Sequence, residues 1–575
     1  MASAVKRSCP ESFKMQSHFA RRSIKFARWG VLWLALLAVK SGIADSSKIS
    51  PDLLPLLSNP SKSVDVIIQY NSKPPTCAIG ELLCSAGSLL GGVLDTAFSL
   101  INAVSATLHA EDVIKLSDQP GVRYISLDRS VAATLDYTAG AVNTSLAWDT
   151  GLDGKGVAVA IIDSGVYVHP DLRTGDSSRS RVVYREAFVS GRVEYDDYGH
   201  GTHVAGIVAG NGNSSSRRGS FRTLKGIAPE ASLLDLRVLD RNGASTDSAV
   251  IAAIQQAVKL KKKYNVRVIN LSLGRPIYEY CSLDPLCQAA EAAWSNGIVV
   301  VIAAGNLGRN GYATVLSPGN SPHAITVGCM KTMETYPSSD DLIASYSSKG
   351  PTYLDLTLKP DMVAPGNLVV SLLAPGSTLA GTYPANVVQP SYYTTSSNTG
   401  PATYFRLSGT SMAAPVVSGA VALMLQKEPN LSPDTVKSRL MKTGRKSFPA
   451  YSATTDSTTG MIYVSTYDIF TIGAGYLDIT RALDSSDVAQ KSAASPSVMY
   501  NPAIQSAYLV LHQDAIWGSS NDWGTNVVWG SNTFANGTSA IWGSNVVWGS
   551  SSDWGTNVVW GSNVVWGSTG GGGEN

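Results

Sequence analysis

The chain of 575 residues is long enough for several domains, and its 44% apolar and 15% charged residues indicate that most of it is globular. Its formal charge of +2 is unevenly distributed, because residues 1–44 hold eight of the 45 basic residues and only one of the 43 acidic ones. The remaining chain carries 37 basic and 42 acidic residues, and without a basic patch it offers no site for nucleic acid.

Residues 1–44 have the composition of a secretory signal peptide. Basic residues at 21–28 precede the apolar stretch GVLWLALLAV, which is short for a membrane span. Gly42 and Ala44 are small residues that suit cleavage before Asp45. We expect a secreted or cell-surface protein after cleavage; the alternatives are an uncleaved anchor and a buried strand.

Six cysteines are few for a chain of this size. Cys9 lies in the leader and Cys329 has no close neighbour in sequence. The close pairs are Cys77 with Cys84 and Cys281 with Cys287. Export permits local disulfides, and buried free thiols are the alternative. No cysteine spacing is typical of a zinc site.

Residues 45–135 have the pattern of a small separate α+β unit. The segment 109–119 is expected to form a helix that ends before Pro120 and Gly121. Strands are expected at 64–70, 101–108 and 121–127.

Residues 136–482 alternate between strand and helix patterns. The apolar runs suit strands that are covered on both faces, which predicts an α/β fold with a mostly parallel sheet. Strands are expected at 157–163, 267–273 and 298–304, and helices at 247–264 and within 282–297.

Residues 483–515 carry little regular pattern and are expected to be a linker. The tail at 516–575 repeats a unit close to Val-Val-Trp-Gly-Ser-Asn and holds eight of the twelve tryptophans. Strand–turn units that stack Trp on Trp, a disordered tail, and a tail that contacts glycan or a cell surface all fit this pattern.

Two strings offer a carboxylate and a base. Asp163 ends the string VAVAIID, and open α/β sheets place ligands beyond the carboxyl ends of their strands. His200 and His203 open the string HGTHVAGIVAG, which is expected to be helical. The absence of an H-E-x-x-H pattern disfavours a metal site. Spacing alone does not decide which histidine is the base.

A third string offers a nucleophile. Ser411 begins SMAAPVVSGAVALML, where Pro415 is expected in the first turn of a helix. A serine there places its N–H and the helix dipole near an oxyanion, and Asn306 offers a second donor. Serine, histidine and carboxylate together can support covalent hydrolysis. Taken singly, each has an ordinary explanation as a cap or turn residue.

The strings Asp-Ser-Gly, His-Gly-Thr-His-Val-Ala-Gly, Ala-Ala-Gly-Asn and Gly-Thr-Ser-Met-Ala-Ala-Pro resemble, in this order, the motifs of the subtilisin-like serine peptidases. The resemblance runs from about residue 140 to residue 482 and implies a three-layer α/β catalytic domain. It implies a triad of Asp163, His200 and Ser411, with Asn306 in the oxyanion hole. His203 would then be structural.

The same resemblance implies how substrate binds. Ser272, Leu273 and Gly274 resemble an edge strand that pairs with extended peptide. The floor of the primary specificity pocket is matched by Ala303, Ala304 and Gly305. Because these residues are small, a broad or hydrophobic preference is expected. Residues 45–135 resemble the propeptide, which acts as chaperone and inhibitor.

Two features depart from the family pattern. Asp171 matches a calcium ligand, but the segment 211–223 does not resemble the family's calcium loop. Structural calcium therefore stays open, and the chemistry requires no cofactor. The Trp repeat lies outside the pattern and resembles tails on some bacterial secreted subtilases.

The expected protein is a secreted serine endopeptidase that acts on proteins or peptides through an acyl-enzyme. It would be made as a zymogen that cleaves itself within 130–140. The alternatives are a non-catalytic or weakly catalytic surface-binding protein that acts through the tail, and an esterase with the same nucleophile.

Overall fold

The computed structural model describes residues 46–50, 53–72, 93–98, 102–127, 137–191, 194–396, 400–456, 459–501, 506–511, 514–518, 528–529 and 564–565. The chain divides into two compact units, Met1–Val131 and Ala132–Asn575. The expected signal peptide and the pair Cys77 and Cys84 lie outside the described residues. Among the helices that are described, none combines the length and apolar character needed to cross a membrane.

Among its described residues, the first unit contains an antiparallel sheet in the order β2-β3-β1-β4 and one α-helix. Its elements are β1 (Ser63–Tyr70), β2 (Val93–Phe98), β3 (Ala103–His109), α1 (Ala110–Ser117) and β4 (Val122–Leu127). Alternation along β1 buries Val64, Val66 and Ile68 in one core with Val113 and Leu116 of α1. The helix and three of the strands confirm the sequence prediction, whereas β2 was not predicted.

The second unit contains the larger core. Its strands are β5 (Ala158–Asp163), β6 (Val182–Ala187), β7 (Ser232–Arg237), β8 (Ala244–Ser245), β9 (Val266–Leu271), β10 (Val299–Ala303), β11 (Ile325–Lys331), β12 (Leu342–Ile343), β13 (Met362–Pro365), β14 (Val369–Leu372), β15 (Val387–Val388), β16 (Tyr404–Leu407), β17 (Tyr451–Thr455), β18 (Ile462–Thr466), β19 (Ser497–Asn501), β20 (Ser506–Val510) and β21 (Val564–Val565). Its α-helices are α2 (Thr138–Ala141), α3 (Thr144–Asp149), α4 (His200–Ala209), α5 (Asp247–Tyr264), α6 (Pro285–Ser295), α7 (Thr378–Thr382), α8 (Thr410–Lys427), α9 (Pro433–Thr443), α10 (Ile469–Ile472) and α11 (Ile479–Asp484). Short 3-10 helices of this unit occur at Pro170–Leu172, Gly308–Asn310, Pro384–Asn386, Pro390–Tyr392 and Ile516–Gly518. Those of the first unit occur at Ser46–Lys48 and Leu54–Ser58.

The central sheet has the strand order β12-β11-β10-β9-β5-β7-β6, and β13 also pairs with β11. These pairings are parallel except that between β11 and β12. Helix α5 packs with α6, α4 packs with α8, and both pairs contact the central strands. The predicted three-layer α/β architecture with a mostly parallel sheet is confirmed, and it brings the carboxyl ends of β5, β9 and β10 to one edge.

Local sequence accounts for the main elements of this sheet. Every residue of β5 is buried, as expected for a strand covered on both faces. Helix α5 starts after Thr246, whose side chain accepts the N–H of Ala249, and ends at Asn265, whose φ is 54°. Helix α8 is buried on all sides from Thr410 to Leu425, which is typical of a core helix.

The expected linker at 483–515 holds regular structure. It contains the whole hairpin β19–β20. Trp517, just after this segment, is buried, and its Nε1 donates to the carbonyl of Ala494 at 2.7 Å. The rings of Trp517 and Trp529 meet edge to face with centroids 5.1 Å apart. Trp517 and Trp529, at the start of the Trp repeat, therefore belong to a hydrophobic core that also contains Met441 and Phe470. Further on, β21 pairs with β8.

Cys281 and Cys287 form a disulfide, with their Cα atoms 5.3 Å apart. The bond closes a loop that starts before α6 and ends at Cys287, in the first turn of that helix. Asp284 is the N-cap of α6. Cys329 is a buried thiol whose Sγ lies 3.2 Å from the hydroxyl of Tyr346. The structure thus chooses a disulfide for the 281–287 pair, which the sequence left open.

A buried cluster of one carboxylate and two lysines lies beside the paired strands β11 and β13. Asp361 lies 2.6 Å from Lys359 Nζ and 3.0 Å from Lys437 Nζ, and its Oδ2 accepts the N–H of Thr326. All three charged side chains are fully buried. Burial alone would raise the pKa of Asp361, but the two lysines lower it below its ordinary value.

Asp361→Asn should lower the free energy of unfolding by about 3–5 kcal/mol, because it leaves two buried ammonium groups without a counter-ion. Urea denaturation measures the loss, in a Ser411→Ala background so that the expected peptidase does not digest unfolded molecules. Asp487→Asn removes the partly exposed ion pair with Lys442 and is the control, with an expected loss below about 1 kcal/mol. Equal losses in the two variants would contradict the role given to the buried cluster.

Candidate active site

Asp163 and His200 form a buried pair at the carboxyl edge of the sheet. Asp163 is the last residue of β5, and its Oδ1 lies 2.8 Å from Nδ1 of His200. The same oxygen accepts the N–H of Ser164 at 2.7 Å, and both members of the pair are fully buried. A carboxylate in this place fixes the imidazole orientation and keeps its proton on Nδ1.

The pair changes the acid–base behaviour of the imidazole. Burial lowers the pKa of His200, but the charge of Asp163 and its hydrogen bond outweigh burial, so the net direction is upward. An imidazolium at this position is therefore stabilised by its neighbour. That is the property required of a base that holds a proton during a reaction.

Asp196 positions the helix that carries His200, and the sequence analysis missed it. Its Oδ1 accepts the N–H of Gly199 at 2.7 Å, and its Oδ2 accepts the N–H of Thr202 at 2.8 Å. The hydroxyls of Ser164 and Thr202 also donate to this carboxylate. An acidic residue shortly before a predicted helix is a capping pattern, which is the signal that could have revealed it.

His203 lies one turn further along α4 and has a different environment. Its Nε2 lies 3.1 Å from the carbonyl oxygens of both Val369 and Phe405, so this nitrogen carries the proton. Burial, followed by the nearby His200, lowers the pKa of His203 to about 3. A neutral histidine held by two backbone carbonyls has a structural environment, which favours His200 as the candidate base.

Ser411 is fastened to the end of β9 by two reciprocal hydrogen bonds. Its hydroxyl donates to the carbonyl of Ser272 at 3.2 Å, and the hydroxyl of Ser272 donates to the carbonyl of Ser411 at 2.8 Å. Pro415 lies in the second turn of α8, not in the first as predicted. Because proline has no N–H, it leaves the carbonyl four residues earlier, that of Ser411, without its helical donor. The hydroxyl of Ser272 takes that place.

Asn270 extends this network and was also missed. Its Nδ2 donates to the hydroxyl of Ser272, and its Oδ1 accepts the hydroxyl of Ser418. The result is a buried polar link between the β9 segment and two positions of α8 that lie about two turns apart. A polar residue inside the apolar string RVINLSL is the pattern that could have identified it.

Asn306 lies beside the N-terminus of α8. Its Oδ1 accepts both the N–H and the hydroxyl of Thr410, at 2.9 and 3.1 Å. This contact identifies the oxygen, so Nδ2 is the end near Gly409. A Cβ at Gly409 would lie 3.1 Å from that nitrogen, and the φ of 152° there also favours glycine. The N–H of Ser411 belongs to the same first turn, where a helix supplies no acceptor.

The two segments expected to bind substrate lie at neighbouring strand ends. Ser272, Leu273 and Gly274 follow β9, and Arg275 pairs with Ser317 through two backbone hydrogen bonds of 2.8 Å. Ala303 ends β10, and Ala304 and Gly305 follow it. The N–H of Gly305 donates to Thr410 Oγ1 at 3.1 Å. Both segments thus adjoin the residues that surround Ser411.

Asp171 does not fit a calcium ligand here. Its Oδ2 accepts the hydroxyl of Tyr404 at 2.6 Å, and its Oδ1 accepts the N–H of Ser214 at 2.7 Å. Each oxygen of Asp171 therefore already accepts a hydrogen bond from the protein, which argues against a cation at this carboxylate. No group of three or more His, Cys, Asp or Glu side chains that could hold a metal occurs in the part of the chain that the structure describes.

A mostly parallel sheet that carries an aspartate, a histidine and a helix-terminal serine at one edge defines an α/β serine hydrolase. The model of the subtilase family matches residues 154–461. The chain belongs to this family and is a serine-type endopeptidase.

Individual relatives agree with the family match. Serine protease AprX of Bacillus subtilis (strain 168) is 39% identical over 360 residues, which cover 61% of this chain and 76% of AprX. Subtilisin E of the same strain is 32% identical, with 61% and 78% covered. Subtilisin DY of Bacillus licheniformis is 34% identical over 54% of this chain and 92% of its own length.

Tyr404→Phe should lower the free energy of unfolding by about 1–3 kcal/mol, because Asp171 loses a buried donor. The loss should be the same in excess calcium and in EDTA, measured by urea denaturation of the Ser411→Ala protein. Tyr393→Phe is the control, since its ring packs on that of Tyr404 at 5.2 Å but is not bonded to Asp171. A loss of unfolding free energy that calcium reverses would contradict the conclusion that Asp171 binds protein donors instead of calcium.

Proposed function

We propose that Ser411, His200 and Asp163 are the catalytic triad of this endopeptidase. The observation that carries the proposal is the buried 2.8 Å contact between Asp163 and His200. The helix of His200, α4, packs against α8, whose first turn contains Ser411. Ser411 attacks the peptide carbonyl while His200 takes its proton. Asp163 orients the imidazole and stabilises its cation.

Asn306 and the N–H of Ser411 are proposed to hold the oxyanion. The hydrogen bonds from Thr410 to Asn306 Oδ1 support this role, since they direct Nδ2 toward the helix start before substrate arrives. His200 then protonates the leaving amine, and water attacks the acyl-enzyme with His200 again as base. The segments at 272–274 and 303–305 are proposed to bind the substrate backbone and side chain.

We further propose that the enzyme is secreted as a zymogen. Residues 1–44 would be the signal peptide and residues 45–135 the propeptide, which acts as chaperone and inhibitor. The α+β sheet of the first unit supports an independently folding pro-segment. Self-cleavage is proposed within 130–140, a segment that lies mostly outside the described residues.

The Trp repeat is proposed to contact a glycan or a cell surface in addition to catalysis by the main domain. A deletion that tests this should begin after Gly530, because Trp517 and Trp529 are buried in the second unit. Binding lost with proteolysis retained would assign the role to the tail.

Ser411→Ala should abolish labelling by a fluorophosphonate probe and leave the precursor at its unprocessed mass, because nucleophile and self-processing are lost together. Intact mass of the purified proteins before and after labelling measures both effects. Ser438→Ala, which removes a buried hydroxyl within α9, should be labelled and processed like the wild type. A labelled Ser411→Ala would refute the nucleophile, and its processing at the normal rate would refute self-cleavage.

Asp163→Asn should lower kcat by about 10⁴-fold, the cost of losing the carboxylate in another serine-protease family. It should also move the acidic limb of kcat/KM to lower pH. The base must be neutral, so activity rises as pH rises through the pKa of His200, which Asp163 raises and burial lowers. Residual activity of the variant, measured across pH beside the wild type, gives the shift.

Asp197→Asn serves as the matched control for this pH profile. Asp197 is 44% exposed and pairs with Arg237 instead of His200. Its removal should leave the acidic limb in place. An unshifted limb in Asp163→Asn would contradict the assignment of His200 as base.

A further inference from the structure

Leu316 lies between the two segments proposed to bind substrate. Its N–H donates to the carbonyl of Ala304 at 3.0 Å. The next residue, Ser317, pairs with Arg275 through both its N–H and its carbonyl. The backbone at 316–317 therefore crosses from the floor segment to the edge segment, and the side chain of Leu316 starts between them.

This side chain fills the space that two glycines leave open. A Cβ built on Gly274 would lie 3.0 Å from Cβ and 3.5 Å from Cδ1 of Leu316. A Cβ built on Gly305 would lie 2.8 Å from Cγ and 2.9 Å from Cδ1. One isobutyl group thus contacts both walls, and Leu316 is only half-buried, so part of it stays accessible.

The backbone next to Leu316 is held in place by a buried hydrogen-bond network. Ser317 is fully buried, and its hydroxyl donates to Asp284 Oδ2 at 2.6 Å. The other oxygen of Asp284 receives Arg275 at 2.8 Å and two N–H groups at the start of α6. A shift of the backbone at 316–317 to make room for a large substrate side chain would break this buried network.

We propose that Leu316 determines primary specificity by narrowing the pocket, so that the residue before the scissile bond must be small, such as alanine, serine or glycine. This inference rests on the proposed function, because it takes 272–274 and 303–305 as the substrate-binding segments. It replaces the broad or hydrophobic preference expected from the small residues at 303–305. The sequence shows those residues to be small but does not show that a leucine from elsewhere occupies the space.

The test compares peptides that differ only in the residue before the scissile bond, alanine or phenylalanine. The wild type should cleave the alanine peptide with the higher kcat/KM. Leu316→Gly and Leu316→Ala should raise kcat/KM for the phenylalanine peptide, by on the order of 10–100-fold for the glycine variant, since a few methylenes in an apolar pocket discriminate to that extent. The alanine peptide should change far less.

Leu283→Ala is the matched control. Leu283 is 63% exposed in the disulfide loop, so its truncation should leave the ratio of the two kcat/KM values unchanged. If glycine at 316 prevents folding, Leu316→Ala carries the test, because it keeps Cβ and ordinary backbone preferences.

Fluorophosphonate labelling separates failure of this inference from failure of the proposed function. An unlabelled, folded wild type would refute the proposed catalytic site. A labelled wild type that prefers phenylalanine would overturn the role of Leu316. An unchanged ratio in labelled, folded Leu316→Gly and Leu316→Ala would overturn it equally.

Discussion

The missing N–H of Pro415 is the constraint on which the site depends. A proline in the second turn of α8 leaves the carbonyl of Ser411 without a helical partner, and an unpaired buried carbonyl is costly. Ser272 at the end of β9 supplies the donor and in return accepts the hydroxyl of Ser411 with its own carbonyl. A defect in helix hydrogen bonding thereby becomes the link between the helix and the substrate segment.

Hydrogen bonds to a buried carboxylate hold the other half of the site, which contains Asp163 and His200. Asp196 is buried, and burial raises its pKa, but it accepts four hydrogen bonds from Ser164, Gly199 and Thr202. These donors fix the first turn of α4 relative to the loop after β5. Because Asp163 ends that strand and His200 starts that helix, the contact between them is organised before any substrate binds. The geometry therefore comes from backbone groups at element ends, where helices and strands leave donors and acceptors unused.

The sequence predicts those parts of the fold that have local causes. β5 and β10 follow from almost unbroken apolar runs, and β9 follows from an apolar run interrupted by Arg267 and Asn270. Helix α5 follows from periodicity with Thr246 at its start and Asn265 at its end. β2 and the hairpin β19–β20 were missed, because short strands acquire their partners only in the folded chain. The same reason explains why the linker expected at 483–515 proved to be structured.

The residues of the site also differ in whether the sequence alone reveals them. Asp163, His200 and Ser411 stand out because their motifs are contiguous in sequence. Leu316 does not stand out in the sequence. The pairing of Ser317 with Arg275 places it beside the substrate-binding segments, and no local sequence pattern predicts that pairing. The choice between His200 and His203 likewise depends on contacts, since the two carbonyls that hold His203 come from β14 and β16.

Burial of Trp517 and Trp529 has a consequence for the fate of the C-terminus. Proteases cut chain that can leave the fold, and Trp517 and Trp529 themselves can do so only if the core that buries them opens. Any trimming of the tail should therefore stop short of the core and leave a product that ends at or beyond Trp529. The repeat looks uniform in sequence, yet the packing of Trp517 and Trp529 determines the shortest form of the enzyme that resists proteolysis.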